Sequence, residues 1–382
     1  MPWTERSPMS LKLELVTLAK RPDANLRRLC RRFGVSPKTA YKWIDRFDRG
    51  GAAALAERSR RPRHSPTRTA AVLEQLACRM RGEHPAWGGR KIRHRLLALG
   101  HRDVPAASTI TDVLRRHGLI DPADSAGHAP WVRFEHPRPN DLWQMDFLGD
   151  FATDAARCYS LTVLDDHSRF CVGVRACGDQ TTATVQGFLT DRFRRYGLPL
   201  RILTDNGGPW GCAEADRREH RFTRLSAWLI RLGVGVSHGR PYHPQTQGKD
   251  ERFHRTLRAE AIGARRFEDL ADVQRRYDPW RDAYNLERPH EALGMKTPAT
   301  RYAPSPREFP ETLPAIEYAP GDVLRRPNKD GHLWYRTVRY KVSQAFAGQP
   351  VALRPTDREH VLDVFFCHQK IASLDLKEQT RI

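Results

Sequence analysis

No apolar run in this 382-residue chain approaches the roughly 18 residues needed to cross a bilayer, which excludes a helical membrane protein. The opening stretch MPWTERSPMSLKLEL lacks the apolar centre of a secretory signal. Seven cysteines (Cys30, Cys78, Cys158, Cys171, Cys177, Cys212, Cys367) lie scattered, with no CxxC pair and no zinc spacing. Reduced thiols and a cytoplasmic location, nucleoid-associated when bound to DNA, are therefore expected, without a disulfide frame. Acids are also in deficit, 45 against 65 Lys and Arg, a formal charge of +20.

The positive excess is uneven. Residues 1–138 hold 28 basic and 13 acidic residues, a net of +15, while 139–382 hold 37 and 32, a net of +5. A basic front joined to a nearly balanced remainder points to a nucleic-acid-binding end and an enzymatic or assembly module behind it. The length suffices for two or three domains, each with its own core.

Residues 1–60 are expected to form an all-α helix-turn-helix domain from LKLELVTLAK, NLRRLCRRFGV and SPKTAYKWIDRF. Gly34 sits at the tight turn and Ser36 caps the last helix. The second helix of such a motif enters the major groove, so Lys38, Thr39, Lys42 and Arg46 are expected to face DNA, with Ala40, Trp43 and Ile44 in the core. The tract ERSRRPRHSP suits an arm along phosphates through Arg58, Arg60 and Arg61, or a solvated linker.

Residues 67–120 read as a second helix-turn-helix-like unit. WGGRKIRHRLLALG is followed by VPAASTITDVLRRHGLI, a helix opened by Ser108. Arg90, Lys91, Arg93 and Arg95 are expected to face DNA; a packing module with a basic exterior is the alternative. Residues 121–138 carry turn formers without periodicity, as a linker does.

From Asn140 the texture becomes mixed α/β. Strands are expected at 142–149, 159–166, 169–176, 200–204 and 234–238, the second and third joined as a hairpin by DDHSR. Helices are expected at 181–197, at 222–233 and from Gln247, a sheet layered with helices. In that last helix Gln247, Glu251, His254, Arg255 and Arg258 share one face, and Phe253, Leu257, Ala261 and Ala264 form an apolar stripe. Lys249, Arg252 and Arg255 are its expected DNA contacts.

Three acids stand out. Asp146 lies mid-strand in an apolar segment, where a charge is costly unless paired or metal-bound. Asp205 ends a buried-looking strand beside a glycine turn, where α/β sheets put ligand groups. Glu251 approaches from a helix. Three carboxylates carry about −3 and a scissile phosphate adds −1, a sum that two Mg²⁺ (or Mn²⁺) ions roughly 4 Å apart would balance.

WQMDF, LTDNG, HPQTQGKDERFHRTL and YNLERPHEALGMKTPATRY in this order resemble the catalytic core of bacterial insertion-sequence transposases related to retroviral integrases. The first helical triplet with LAERSRRP and the hairpin LDDHSRFCVGV are similar as well, so the likeness spans most of 10–305. It implies a ribonuclease-H-like fold at 139–302, with Asp146, Asp205 and Glu251 as a metal-binding catalytic triad. It also implies terminal inverted repeats and target DNA as partners, strand cleavage and transfer, and a homodimer or larger assembly on DNA. Two departures stand. Forty-five residues separate Asp205 from Glu251, longer than in retroviral integrases, with the surplus expected in 208–221. That leaves Asp250 as a rival to Glu251, although Glu251 fits the KxERFHRTL pattern. Gln247 stands where the family has asparagine.

Arg288, Pro289 and His290 are expected to fix the turn after a long helix, and His254 to be solvated. Asp150, Asp165 and Asp166 read as hairpin and turn acids. Residues 315–379 look β-rich and suit a small β-barrel, with Trp334, Tyr335, Arg336, Arg339 and Lys341 either on DNA or in core and rim. A DNA-binding regulator without catalysis, and a nuclease that cuts without joining, are the rival functions.

Overall fold

The computed structural model describes residues 8–57, 68–120, 135–205, 207–210, 222–238 and 248–377. These fall into two compact units, one up to Arg68 and one from Thr69. Arg58, Arg60, Arg61 and Gln247 lie outside the described residues, as do Cys212 and most of the linker and the 208–221 loop.

In the first unit, α1 (Pro8–Ala19), α2 (Leu26–Phe33) and α3 (Pro37–Gly50) form a helical triplet. Asn25 accepts from the Arg28 amide at the start of α2, and Gly34 ends it at φ 64°. Ser36 caps α3 by accepting from the Thr39 amide at 3.2 Å, satisfying a donor that a helix start leaves open. Leu15, Cys30 and Ala40 pack together, as do Val16, Trp43 and Leu55.

The second unit opens with α4 (Ala71–Glu83), α5 (Gly89–Ala98) and α6 (Ala107–Arg116) around Trp87, Ile92, Leu96, Ile110 and Leu114. A Cβ at Gly89 would lie 2.3 Å from the Ala107 carbonyl oxygen, so only glycine lets α5 start against α6. Ser108 does not cap α6. The extended cap residue is Ala106, two positions earlier, and it makes no side-chain cap bond. Buried Glu74 ties α4 to α6 through Arg116 at 3.0 Å.

A five-stranded sheet follows: β1 (Trp143–Ala152), β2 (Arg157–Asp165), β3 (Cys171–Cys177), β4 (Arg201–Thr204) and β5 (Gly235–His238), in the order β3-β2-β1-β4-β5. β1, β2 and β3 are antiparallel neighbours, while β4 runs parallel to β1 and to β5. Alternate residues of a strand face opposite sides, and this divides the core. Trp143, Met145, Leu161 and Val163 meet α7 (Thr182–Tyr196) and α8 (Arg224–Arg231) on one face. On the other, Leu164, Cys171 and Val174 meet α9 (Gly248–Leu257) and α10 (Leu270–Leu286) through Phe253, Leu257, Tyr277 and Trp280.

α9 does not carry its apolar stripe to Ala264. Over Arg258–Ile262 the chain widens into a π-helix and stops at Gly263, φ 54°. The changed period puts Ile262 into the core and leaves Ala264 exposed.

β6 (Val323–Arg325), β7 (His332–Tyr335), β8 (Val338–Lys341), β9 (Val351–Pro355), β10 (Val361–Phe366) and β11 (Gln369–Asp375) make the C-terminal module. The expected barrel is not closed among the described residues. The sheets are an open β11-β10-β9-β6 ladder and a separate β7-β8 hairpin. β6 is three residues long and exposed, so it gives no ladder to close on. The module's core closes by packing instead: Phe346 meets Phe222 at 5.4 Å, and Leu333, Val351, Val364 and Phe366 belong to the same core as α7 and α8.

Candidate active site

Asp146 sits in the middle of β1, opposite Thr162 of β2, on the face covered by α9. Its Oδ1 accepts from the Phe147 amide at 2.7 Å. Burial first, and the neighbouring Asp205 carboxylate second, push its pKa up to about 7. His254 of α9 lies with Nδ1 3.9 Å from Asp146 Oδ2. Thr162 gives its hydroxyl proton to the Asp146 carbonyl at 3.0 Å. Its oxygen must therefore accept from His254 Nε2 at 2.8 Å, which turns an unprotonated Nδ1 toward Asp146. His254 is buried, not solvated; burial first and Arg258 second lower its pKa to about 4, and it is neutral.

Asp205 closes β4. Its Oδ1 accepts from the Gly207 amide at 2.9 Å and from the indole N–H of Trp210. Trp210 is buried and stacks on Phe147, next to Asp146, with ring centroids 5.3 Å apart. One tryptophan thus links the two strand-borne acids. Sequence reasoning missed it, reading 208–221 as polar loop; its only signal is an aromatic beside proline in that loop.

The two acids of α9 divide. Asp250 is buried, and burial together with Asp146 and Asp166 holds its carboxyl well above the usual range. Glu251 is exposed. Among the described residues no three His, Cys, Asp or Glu side chains lie close enough together to hold a metal ion. The structure thus brings Asp146 together with Asp205 and with Asp250, and not all three expected acids into one group. Asp146 and Asp205 themselves fit a hard divalent cation: both offer carboxylate oxygens, and they stand close enough that Asp205 adds to the effect of burial in raising the pKa of Asp146.

The expected DNA contacts also divide. On α3, Lys38 and Lys42 are exposed, Arg46 is half-buried over Trp43, and Thr39 is half-buried beside its cap, bonded to Ser36; exposed Tyr41 had been overlooked. On α5, Arg90 is exposed, but Arg93 donates to the Pro105 carbonyl and Arg95 pairs with Glu287 at 2.6 Å. Lys91 is pressed toward Arg288 and Glu260, and burial, then Arg288, lowers its pKa to about 7. On α9, Arg252 and Arg255 are exposed, whereas Lys249 forms an ion pair with Asp166. Arg255 and Arg258 line a cleft of about 430 Å³ with Leu148, Gly149 and Phe151. Arg288 is structural: it bonds Thr256 at 3.3 Å and lies 3.7 Å from Glu260.

Integrase core domain families match residues 136–244 and 232–298. The IS481 family transposase C-terminal domain matches 322–381, and helix-turn-helix and homeodomain-like families match 11–63 and 39–114. A protein of insertion element IS476 from Xanthomonas euvesicatoria is 30% identical over 42% of this chain and 44% of its own length. One of insertion element IS407 from Burkholderia multivorans is 27% identical over 42% of this chain and 54% of its own. The chain is similar to bacterial insertion-sequence transposases that carry an integrase core. It spans about half the length of these curated relatives. Among solved structures, a simian T-cell lymphotropic virus intasome in complex with PP2A regulatory subunit B56 gamma is 13% identical over 78% of this chain and 94% of that chain, with a TM-score of 0.39. The HTLV-2 integrase catalytic core domain in complex with magnesium is 16% identical over 43% and 97%, with a TM-score of 0.33. No described helix is long and apolar enough to cross a membrane.

Proposed function

We propose that the chain is a DNA transposase that cuts at the ends of its element and joins the freed 3′ ends to target DNA. The observation that carries this reading is the pair Asp146 and Asp205 on adjacent parallel strands, close enough to raise the pKa of one carboxyl, beside a helix bearing a third acid. Asp146, Asp205 and Glu251 would hold divalent magnesium or manganese, two ions by charge balance. Glu251 is preferred over Asp250 on two grounds. It fits the family's KxERFHRTL pattern, and it is exposed where a phosphodiester can reach it, while Asp250 is buried. Bound there, the ions would polarise the scissile phosphate and make water or a 3′-hydroxyl a better nucleophile at neutral pH.

The chain's own groups orient the acids. The Phe147 amide fixes one oxygen of Asp146, and Trp210 with the Gly207 amide fixes one of Asp205. Thr162, bonded to His254 of α9, holds the Asp146 backbone carbonyl. Arg252 and Arg255 offer exposed cations beside Glu251 for the DNA backbone. Lys38 and Lys42 on α3 would read the element ends. Joining two ends requires two copies of the site, hence a dimer or larger assembly on DNA.

The test is nicking and strand transfer on end-containing DNA with Mg²⁺. Asp146→Asn, Asp205→Asn and Glu251→Gln should each lower cleavage by at least a hundredfold with DNA binding retained in gel shifts. Wild-type cutting by any of the three removes that residue from the triad. A wild-type protein that binds without cutting is a regulator, and one that cuts without joining is a nuclease.

A further inference from the structure

We propose that Asp166 and Lys249 are positioning residues that fix the first turn of α9, and with it Glu251, against the strand carrying Asp146. The inference rests on the reading of the site given above. Asp166, at the β2–β3 turn, is wholly buried, yet no step of cleavage uses it. It accepts from the His136 amide at 2.8 Å and from Gln144 Nε2 at 2.7 Å, and its backbone amide donates to the Leu142 carbonyl at 3.0 Å. Gln144 precedes Asp146 by two residues on β1. On the other side Asp166 pairs with Lys249, the second residue of α9, two before Glu251; Lys249 also reaches the Asp166 carbonyl at 3.4 Å. One carboxylate therefore grips the strand that bears the first acid and the helix that bears the third.

An ion pair this buried is an inefficient way to add stability, since desolvation offsets much of the attraction. What it supplies is direction. A helix advances 1.5 Å and turns by about 100° per residue, so pinning Lys249 fixes the azimuth of Glu251. Removing partners that orient metal ligands typically costs about 10–100-fold in metal affinity.

The test uses the full chain, with Mn²⁺ alone as probe in an EPR titration and Mg²⁺ titrated in the cleavage assay. Lys249→Met leaves the other bonds of Asp166 in place. It should weaken Mn²⁺ binding and raise the half-saturating Mg²⁺ concentration about tenfold, with DNA affinity in gel shifts within twofold of wild type. Lys249→Arg should restore most of the loss. A purely structural defect would lower the active fraction and leave half-saturation unchanged, which would overturn the proposal. Wild-type Mn²⁺ affinity in Lys249→Met, or failure of that variant to fold by circular dichroism, would also overturn it. If wild type and Asp146→Asn both fail to bind Mn²⁺, the reading of the site fails and the proposal with it.

Discussion

Asp146 bears its charge where the fold least favours it. Its folded pKa of about 7 lies above the ordinary carboxylate value, with burial as the main cause and Asp205 the second. A group raised in this way binds more protons folded than unfolded, so its contribution to stability falls as pH rises toward 7. At pH 8 the ionised form prevails and the penalty is fully present. Asp146→Asn, uncharged and nearly the same shape, should therefore raise the melting temperature by a few degrees at pH 8 in chelator while abolishing cleavage. A lower melting temperature in scanning calorimetry would show that the carboxylate stabilises the fold. At this scale Asp146 and Asp205 were legible, because an acid inside an apolar strand and an acid at a strand end each need a reason. Trp210, Thr162 and Asp166 were not: their partners lie from 5 to 92 residues away in the chain, and no local pattern announces them. Asp166 was read as a turn acid, which it is by position, but its burial comes from what α9 and β1 lay over it.

Among elements, every strand of the central sheet was legible, as were α7, α8 and α9, because short apolar runs between turn formers mark strands buried on both faces; α10 was given no range. Periodicity failed where backbone geometry departs from the ideal period. Nothing in the residues of α9 marks its passage into a π-helix, so Ala264 was expected inside. Ser36 and Ser108 both precede helical patterns, yet only Ser36 has the extended backbone that brings its oxygen to a free amide. The seam between α5 and α6 makes a sharper demand. Gly89→Ala would put a methyl 2.3 Å from the Ala107 carbonyl oxygen and 2.4 Å from Thr111 Oγ1. Overpacking of this kind typically costs about 1–3 kcal/mol, and urea unfolding of the variant should register a loss of that size. An unchanged midpoint would mean that the two helices separate easily.

For the whole molecule, the charge asymmetry read from composition carries over to function only in part. Lys38, Lys42 and Arg90 are exposed, but Lys91 is half-buried and Arg93 and Arg95 are engaged with a carbonyl and an acid of the chain, so the basic front is smaller than its formal charge. Counterion release makes log affinity fall linearly with log salt, by about 0.9 per phosphate neutralised on duplex DNA. Binding to end-containing DNA should weaken at least tenfold between 50 and 200 mM salt in anisotropy titrations; a flat profile would count against a phosphate-binding front. Overall architecture was legible up to the C-terminal module, where alternating strands pointed to a barrel. Strand pattern gives the ladder but not what covers it, and here the cover is the face formed by α7 and α8. Because Phe346 and its neighbours complete that shared interior, the last sixty or so residues are no detachable appendage. A chain halted before them would bare an oily flank of the catalytic body, so the two regions should melt as one, and a truncated product would be prone to clump before it could act.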